Sequence, residues 1–297
     1  MPTIDNIFRV NEVLSLIHGN LAGDLTAKVL AKHAAYSEFY FHRLFKQVTG
    51  ESVHHYIRRT RLEAAANQLL FSPDLTVEHI AVNCGFLSLS SFSRAFKSIY
   101  SATPGQWRSL PRQTMASHIP PPLSDDPEIN RAYQRSSLKP LPAPNIVTLE
   151  PCKVAYIRHK GYGRSIAKPW QQLKHWAVSE QRSMDVQIGL HHSNPALTPL
   201  AECHYVACVG IDKPVMRRGK INSVVIPGGL HAAFVLEGEY GDLLPYLSKV
   251  LGEWLPGSGF IAKTTPAFAR YEENQFLKQD DHFKLIFYLP IQPLWDH

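Results

Sequence analysis

Four cysteines in 297 residues, Cys84, Cys152, Cys203 and Cys208, form no CxxC pair and no repeated spacing. That excludes a disulfide framework and a zinc finger, and leaves reduced, mostly buried thiols as the expectation. No stretch approaches the roughly 18 uninterrupted apolar residues that a membrane span needs. The opening MPTIDNIFRV lacks a basic segment followed by an apolar run, so a cytoplasmic protein without a membrane partner is expected. Charged residues are 19% and apolar residues 44%, a balance suited to packed cores and unlike that of a disordered chain. What is plentiful is positive charge at the front. The net charge is +6, and residues 1 to 112 hold twelve Lys/Arg against eight Asp/Glu, compared with nineteen against seventeen in the longer remainder. Such a bias suits a polyanionic partner.

Proline is concentrated between Pro111 and Pro144, including the triplet from Pro120 to Pro122 and then Pro127, Pro140 and Pro142. Proline fixes φ and lacks an amide donor, so residues 111–144 are expected to form an extended linker with no helix of useful length. It would separate a domain at 1–110 from one at 145–297, in line with usual domain sizes.

The front half has helical periodicity. Val10, Val13, Leu14 and Ile17 form one stripe, and Val53, Tyr56, Ile57, Leu62, Ala65, Ala66 and Leu69 form another along Ser52 to about Phe71. The back half alternates short β-rich runs, such as VAYIRH, HYVACVGI and FKLIFYLPI, with two helical stretches. Both halves repeat internally. LTAKVLAKHAAYSEFYFHRLFK from Leu25 returns as LTVEHIAVNCGFLSLSSFSRAFK from Leu75 with one inserted residue, and the run from Ala155 to Trp176 is echoed from Ala233 to Trp254. The fold class is therefore α+β: an all-α unit with two helix-turn-helix pairs, then an α/β unit of duplicated halves.

In the first helical repeat Thr26 caps a short helix, Val29 and Leu30 face inward, and Ala31 permits a close helix crossing. Ser37 caps a second helix that buries Phe41, Leu44 and Phe45. Its outward face carries Phe39, His42 and Arg43, as a recognition helix in a major groove would. Arg43 can donate two parallel hydrogen bonds to guanine, His42 can donate to an acceptor edge, and Phe39 can contact a thymine methyl. In the second repeat Thr76 and Ser88 cap, Ile80 and Ala81 pack, Gly85 turns, and Phe92, Phe96 and Ile99 are expected inside. Leu89, Ser90 and Arg94 face outward, a surface poorer in donors that should lean on phosphates and DNA shape. Arg58, Arg59 and Lys97 are candidate phosphate contacts. A plain helical bundle with a solvated basic face is the competing reading, and two capped repeats joined by a helix close to 30 Å long weigh against it.

Phe92-Ser-Arg-Ala-Phe-Lys97 followed by Tyr100, Thr103-Pro104 and Trp107-Arg108 resembles the signature of AraC/XylS-type transcription regulators. Tyr36-Ser37, Arg43-Leu-Phe-Lys46 and Gly50 resemble its first half. The resemblance implies double-stranded DNA as the partner, RNA polymerase as a further candidate, and nucleoid association. It places Phe39, His42, Arg43, Leu89, Ser90, Ser91 and Arg94 at base- or backbone-contacting positions. From Asn145 to Leu294 the chain resembles a gyrase-inhibitor-like effector-binding domain, carried by Val154 to Gly163, Trp170 with Leu173 and Trp176, Cys203 to Cys208, Ile226 to Gly229 and Trp254 to Phe260. That resemblance implies two βαββ units making a concave antiparallel sheet that binds bulky, hydrophobic or aromatic small molecules.

Trp170, Tyr205, Phe268 and Tyr271 are the candidate ligand contacts, with core filling as the alternative for each. The glutamate that the resemblance implies two positions before Tyr271 is Ala269 here, and Glu272 is expected on the face opposite Tyr271. A neutral or weakly polar effector, or a protein-contact surface, is therefore expected. Hydrolase activity loses its acid/base group, and no catalytic residue or cofactor is nominated. His191, His192, Cys203, His204 and Cys208 fit no standard metal spacing. A drug-sequestering protein tethered to DNA is the alternative from a different class.

Overall fold

The computed structural model describes residues 4–72, 75–109, 126–136, 139–194, 198, 200–213, 215 and 221–294. The chain divides into two compact units between Arg112 and Gln113.

In the first unit, α1 (Ile4–Gly19) precedes two helix pairs, α2 (Ala27–His33) with α3 (Glu38–Thr49) and α5 (Val77–Asn83) with α6 (Leu89–Tyr100). The long α4 (Val53–Phe71) runs between the pairs, and α7 (Pro104–Arg108) follows. The duplication extends to individual backbone bonds. Thr26, Ser37, Thr76 and Ser88 each accept an amide three residues on, satisfying one of the free donors at a helix start. In the turns, Tyr36 N donates to Ala31 O and Phe86 N to Ala81 O, both at 2.9 Å. Each turn needs a left-handed residue, supplied by Ala35 at φ 55° and by Gly85 at φ 79°.

α4 is the shared support. Val53, Tyr56 and Ile57 join the core of the first pair, while Leu62, Ala65, Ala66 and Leu69 are buried further along. Each large apolar side chain so buried contributes about 1.5–3 kcal/mol. Arg61 donates to Leu21 O at 3.0 Å and Gly23 O at 3.1 Å, tying the loop before α2 to α4. Trp107 Nε1 donates to Ala66 O at 3.3 Å and Arg108 to Leu75 O at 2.7 Å, which fastens α7 over the second pair. Two expected core residues lie outside: Val29 is 38% and Ile99 55% exposed. Each sits at the margin of its helix's apolar stripe, beyond the width that one neighbouring helix covers.

The second unit contains a helix where the proline pattern implied none. α8 (Pro127–Ser136) takes Pro127 at its first position, where no amide is needed, and Glu128 N donates to the Asp126 carboxylate at 3.0 Å. The expected linker at 111–144 is corrected to that extent; residues 110–125, 137 and 138 lie outside the described residues.

The described strands are β1 (Asn145–Leu149), β2 (Cys152–Lys160), β3 (Gln187–His191), β4 (His204–Gly210), β5 (Asn222–Ile226), β6 (Gly229–Glu239), β7 (Phe260–Ala262), β8 (Ala267–Glu273) and β9 (His282–Pro293). They form an antiparallel sheet in the order β1-β6-β9-β8-β3-β4-β2-β5, with β7 on β9. Two βαββ units are visible in that order. β2, α9 (Ala167–Ser179), β3 and β4 make one; β6, α10 (Leu243–Lys249), β8 and β9 make the other; and the seam runs between β3 and β8. The terminal strands meet. β1 passes into β2 through Glu150 and Pro151, β5 passes into β6 through Pro227 and Gly228, and Leu149 pairs with Gly229 in the register that pairs Cys152 with Ile226. The sheet thus turns back on itself around an apolar inner face with Val154, Tyr156, Val206, Phe268 and Tyr288, which leaves few open edges. Its other face carries the helices.

A Cβ on Gly85 would lie 2.3 Å from Leu21 O in a backbone conformation that disfavours side chains. Gly85→Ala is expected to destabilise the helical unit by about 2–4 kcal/mol, whereas Ala35→Gly at the matching turn should change stability by less than about 1 kcal/mol. Urea unfolding of the full chain followed by circular dichroism measures both.

Candidate nucleic-acid interface and ligand site

The recognition face of α3 follows from its cap and stripe. Phe41, Leu44 and Phe45 are buried, so Phe39, one residue past the start, is 83% exposed. Arg43 is exposed with its guanidinium 5.2 Å from the Tyr40 ring, which holds the cation forward without neutralising it. His42 lies 3.8 Å from Glu38 and its ring 5.3 Å from that of His54, at the start of α4. His54 and Tyr40 therefore belong to this surface. Periodicity within α3 could not point to His54, because it arrives from another helix.

On α6, Phe92 and Phe96 are buried and Leu89, Ser90, Arg94 and Lys97 are exposed. Ser91 is half-buried, and its hydroxyl donates to Ser88 O at 2.8 Å, so it serves the cap. Arg58 is exposed and donates to Ser98 Oγ at 3.1 Å, linking α4 to α6. Arg59 departs from expectation. Its side chain is 16% exposed, lies 2.7 Å from Glu51 and 3.3 Å from Glu63, and packs over Tyr56. The two carboxylates raise its pKa against the opposing effect of burial. Arg59 is thus a largely buried cation engaged within the fold.

The four candidate ligand contacts do not share a cleft. Tyr271 pairs with Gln187 and Phe268 with Leu190 on β3, and alternation along β8 sends the two side chains to opposite faces. Phe268 belongs to the inner apolar face, stacked 4.9 Å from Tyr288. Trp170, Tyr205 and Tyr271 lie together on the helical face, each at most 4% exposed. Trp170 Nε1 donates to Tyr205 Oη at 3.1 Å, and the Tyr205 and Tyr271 hydroxyls are 3.4 Å apart. Burial pushes the Tyr271 phenol up to about 12.

This cluster stands on the seam of the two βαββ units. Ala269, wholly buried, pairs with Gly189 there, and a Cβ on Gly189 would fall 2.2 Å from the Tyr205 hydroxyl. Two small residues thus make the floor on which Tyr205 lies. Glu272 is exposed and paired with Lys284 at 2.9 Å, and Glu273 pairs with Lys278, so neither supplies a carboxylate above Ala269. His191, from β3, hydrogen-bonds Tyr162 through Nδ1, and no hydrogen bond to its buried Nε2 is found among the described residues. Tyr162 and Phe276 then meet Ile129 of α8, with Leu200, Tyr240 and Leu244. α8 is held over this cluster by charge. Arg135 is 2.8 Å from Asp242, Arg164 pairs with Glu128 and with Asp281 at 2.8 Å, and the Tyr240 hydroxyl donates to Asp126 at 3.1 Å.

Burial lowers the His191 pKa from 6.5 to about 3. The unfolded chain takes up a proton below about pH 6.5 that the folded chain refuses until about pH 3. Stability held by the neutral imidazole is thus complete above about 6.5 and falls by up to about 1.4 kcal/mol per pH unit below it. Between pH 7 and pH 5 the wild type is expected to lose about 2 kcal/mol through this residue. Urea melts at the two pH values should show that difference shrinking in His191→Asn.

Residues 30–109 match the helix-turn-helix domain family, and residues 142–292 match the GyrI-like small molecule binding domain family. The transcriptional regulator Rob of Salmonella typhimurium is 24% identical over 289 residues, 95% of this chain and 98% of Rob. The right origin-binding protein of Escherichia coli K12 is 24% identical over 277 residues, 92% of this chain and 93% of its own length. The transposon Tn10 TetD protein of Escherichia coli is 40% identical over 99 residues, 33% of this chain and 71% of TetD. The doubled, capped helix pairs and the paired βαββ units are accounted for by one assignment: the chain belongs to the AraC-type DNA-binding transcription regulators that carry a GyrI-like small-molecule-binding domain.

Proposed function

We propose that this chain is a one-component regulator in which α3 reads bases, α6 anchors and tunes, and the GyrI-like unit adjusts DNA affinity in response to an effector. The observation that carries the reading is the matched pair of capped helices with unmatched outer faces. Phe39 and Arg43 stand free on one, and Leu89, Ser90, Arg94 and Lys97 on the other. α4, with 19 residues at about 1.5 Å each, spans about 28 Å. Successive major grooves on one side of a duplex lie about 34 Å apart, so one chain reaches two of them. Arg58 and Lys97 supply phosphate contacts and Arg59 supports the fold. Contact with RNA polymerase belongs to this reading as the route from operator to transcription.

The effector enters at the seam. With Ala269 where relatives are expected to place a carboxylate, a permanent cation would find no buried counter-charge, so the site suits neutral planar molecules. Tyr205 lies behind Tyr162 and Phe276, which pack with Ile129 of α8, so a shift of α8 would open a way to Trp170, Tyr205 and Tyr271. A site without a carboxylate also supports a regulator with no hydrolase chemistry.

In vitro selection from random duplex DNA with the full chain is expected to yield one motif, bound more weakly as salt rises. Arg43→Ala should lose roughly tenfold or more for that motif and relax one position, the loss typical of a bidentate base contact. Arg59→Ala should instead lower stability by about 3 kcal/mol, because Glu51 and Glu63 lose the cation they share in a largely buried cluster. A motif unchanged by Arg43→Ala sinks the assignment of α3. Calorimetric titration with a neutral planar aromatic, with and without the selected duplex, should give two different affinities. Equal affinities would describe a passive binder rather than a sensor.

A further inference from the structure

Leu87 and Leu89 flank the cap of α6, the first fully exposed and the second 44% exposed. Leu87 is the residue by which the second repeat exceeds the first. In the first repeat Tyr36 directly precedes the Ser37 cap and packs 5.1 Å from Tyr40. In the second repeat Phe86 takes that seat, with the same amide bond to the preceding helix and its ring 5.1 Å from Phe92. The extra leucine has no place left in the core and is turned to solvent.

The hydroxyls of Ser88 and Ser91 at the start of α6 are meanwhile engaged in its cap. Ser88 Oγ accepts the Ser91 amide at 3.2 Å, Ser91 Oγ donates to Ser88 O at 2.8 Å, and Arg94 Nε donates to Ser90 O at 3.4 Å. An apolar edge is therefore presented at the position from which a recognition helix meets base edges. The major groove offers one apolar group, the C5 methyl of thymine. We infer that α6 selects A·T pairs by packing Leu89, with Leu87 beside it, against thymine methyls. The inference rests on the DNA-reading role proposed above and adds the base class read by the second helix.

The test uses the duplex selected by the full-length protein, with each thymine of the half-site facing α6 replaced in turn by deoxyuridine, which lacks only the methyl. Wild type is expected to weaken about fourfold at one or two of these positions, the worth of one buried methyl-sized group. Leu89→Ala, an exposed helical position where alanine keeps the helix, should bind thymine and deoxyuridine duplexes equally. Leu87→Ser should reduce the discrimination at the neighbouring position. The inference is overturned if wild type ignores every replacement, or if Leu89→Ala keeps the fourfold difference. It is also overturned if Leu87→Ser and Leu89→Ala leave discrimination intact but abolish recruitment of RNA polymerase, which would make the leucines a protein contact. A selection that enriches no motif at all refutes the regulator reading itself, a result distinct from these.

Discussion

Arg59 donates in two directions along one helix, to Glu51 before its start and to Glu63 one turn further on, with Tyr56 beneath the guanidinium. A buried charge cluster of this kind is costly when incomplete, so the three side chains hold each other in place. Glu51 lies just beyond the left-handed cap Gly50 at the end of α3. Fixing it fixes the angle at which α3 leaves α4, and with it the direction in which Phe39 and Arg43 point. Two residues along, Arg61 does the same for the loop that enters α2. The second pair depends on the same helix through Arg58, Ala66 and Trp107. A rigid α4 converts two small helix pairs, neither with much core of its own, into two reading surfaces at a set separation.

The second unit solves a different problem. A sheet duplicated about a seam must fill the space where its halves meet, and here Gly189 and Ala269 keep the floor low while Tyr205, Trp170 and Tyr271 fill it. The hydroxyls and the indole nitrogen satisfy one another within the cluster. His191 is the exception, with a neutral ring and a buried Nε2 facing aromatic neighbours. α8 closes the arrangement through the surface pair of Glu128 with Arg164 and the pair of Arg135 with the buried Asp242, over an apolar contact at Ile129.

Much of this was legible in the sequence. The caps Thr26, Ser37, Thr76 and Ser88, the alanines at the crossings and the period along α4 are local signals with local consequences. The failures have identifiable causes. Val29 and Ile99 lie on the correct side of their helices, but a seven- or twelve-residue helix packed on one neighbour buries a narrower stripe than periodicity suggests. The proline count from Pro111 to Pro144 concealed a proline-free stretch between Pro127 and Pro140, long enough for α8. Arg59 reads like its neighbour Arg58, and only the approach of Glu51 and Glu63 separates them. Phe268 and Tyr271 differ by an odd number of positions on one strand, which alone forbids a common face. The meeting of β1 with β6 and of β2 with β5 has no signature in any single segment.

The asymmetry between the two helix pairs follows from the same logic of local versus distant constraint. Duplication preserved what each pair needs in order to fold: caps, turn bonds, Phe41 and Phe45 matched by Phe92 and Phe96. Outward positions carry no such constraint, and there the copies have diverged from Phe39 and His42 to Ser90 and Ser93. The inserted Leu87 is the informative case. An added residue in a three-residue turn would normally disturb packing, yet the amide bond from Phe86 to Ala81 is kept and the excess is passed to the surface. Exposing a whole leucine beside a second one gains nothing for the fold, since apolar surface left in water is a cost that only a covering partner removes. The place where the second repeat departs from its own template is therefore where its partner should be sought.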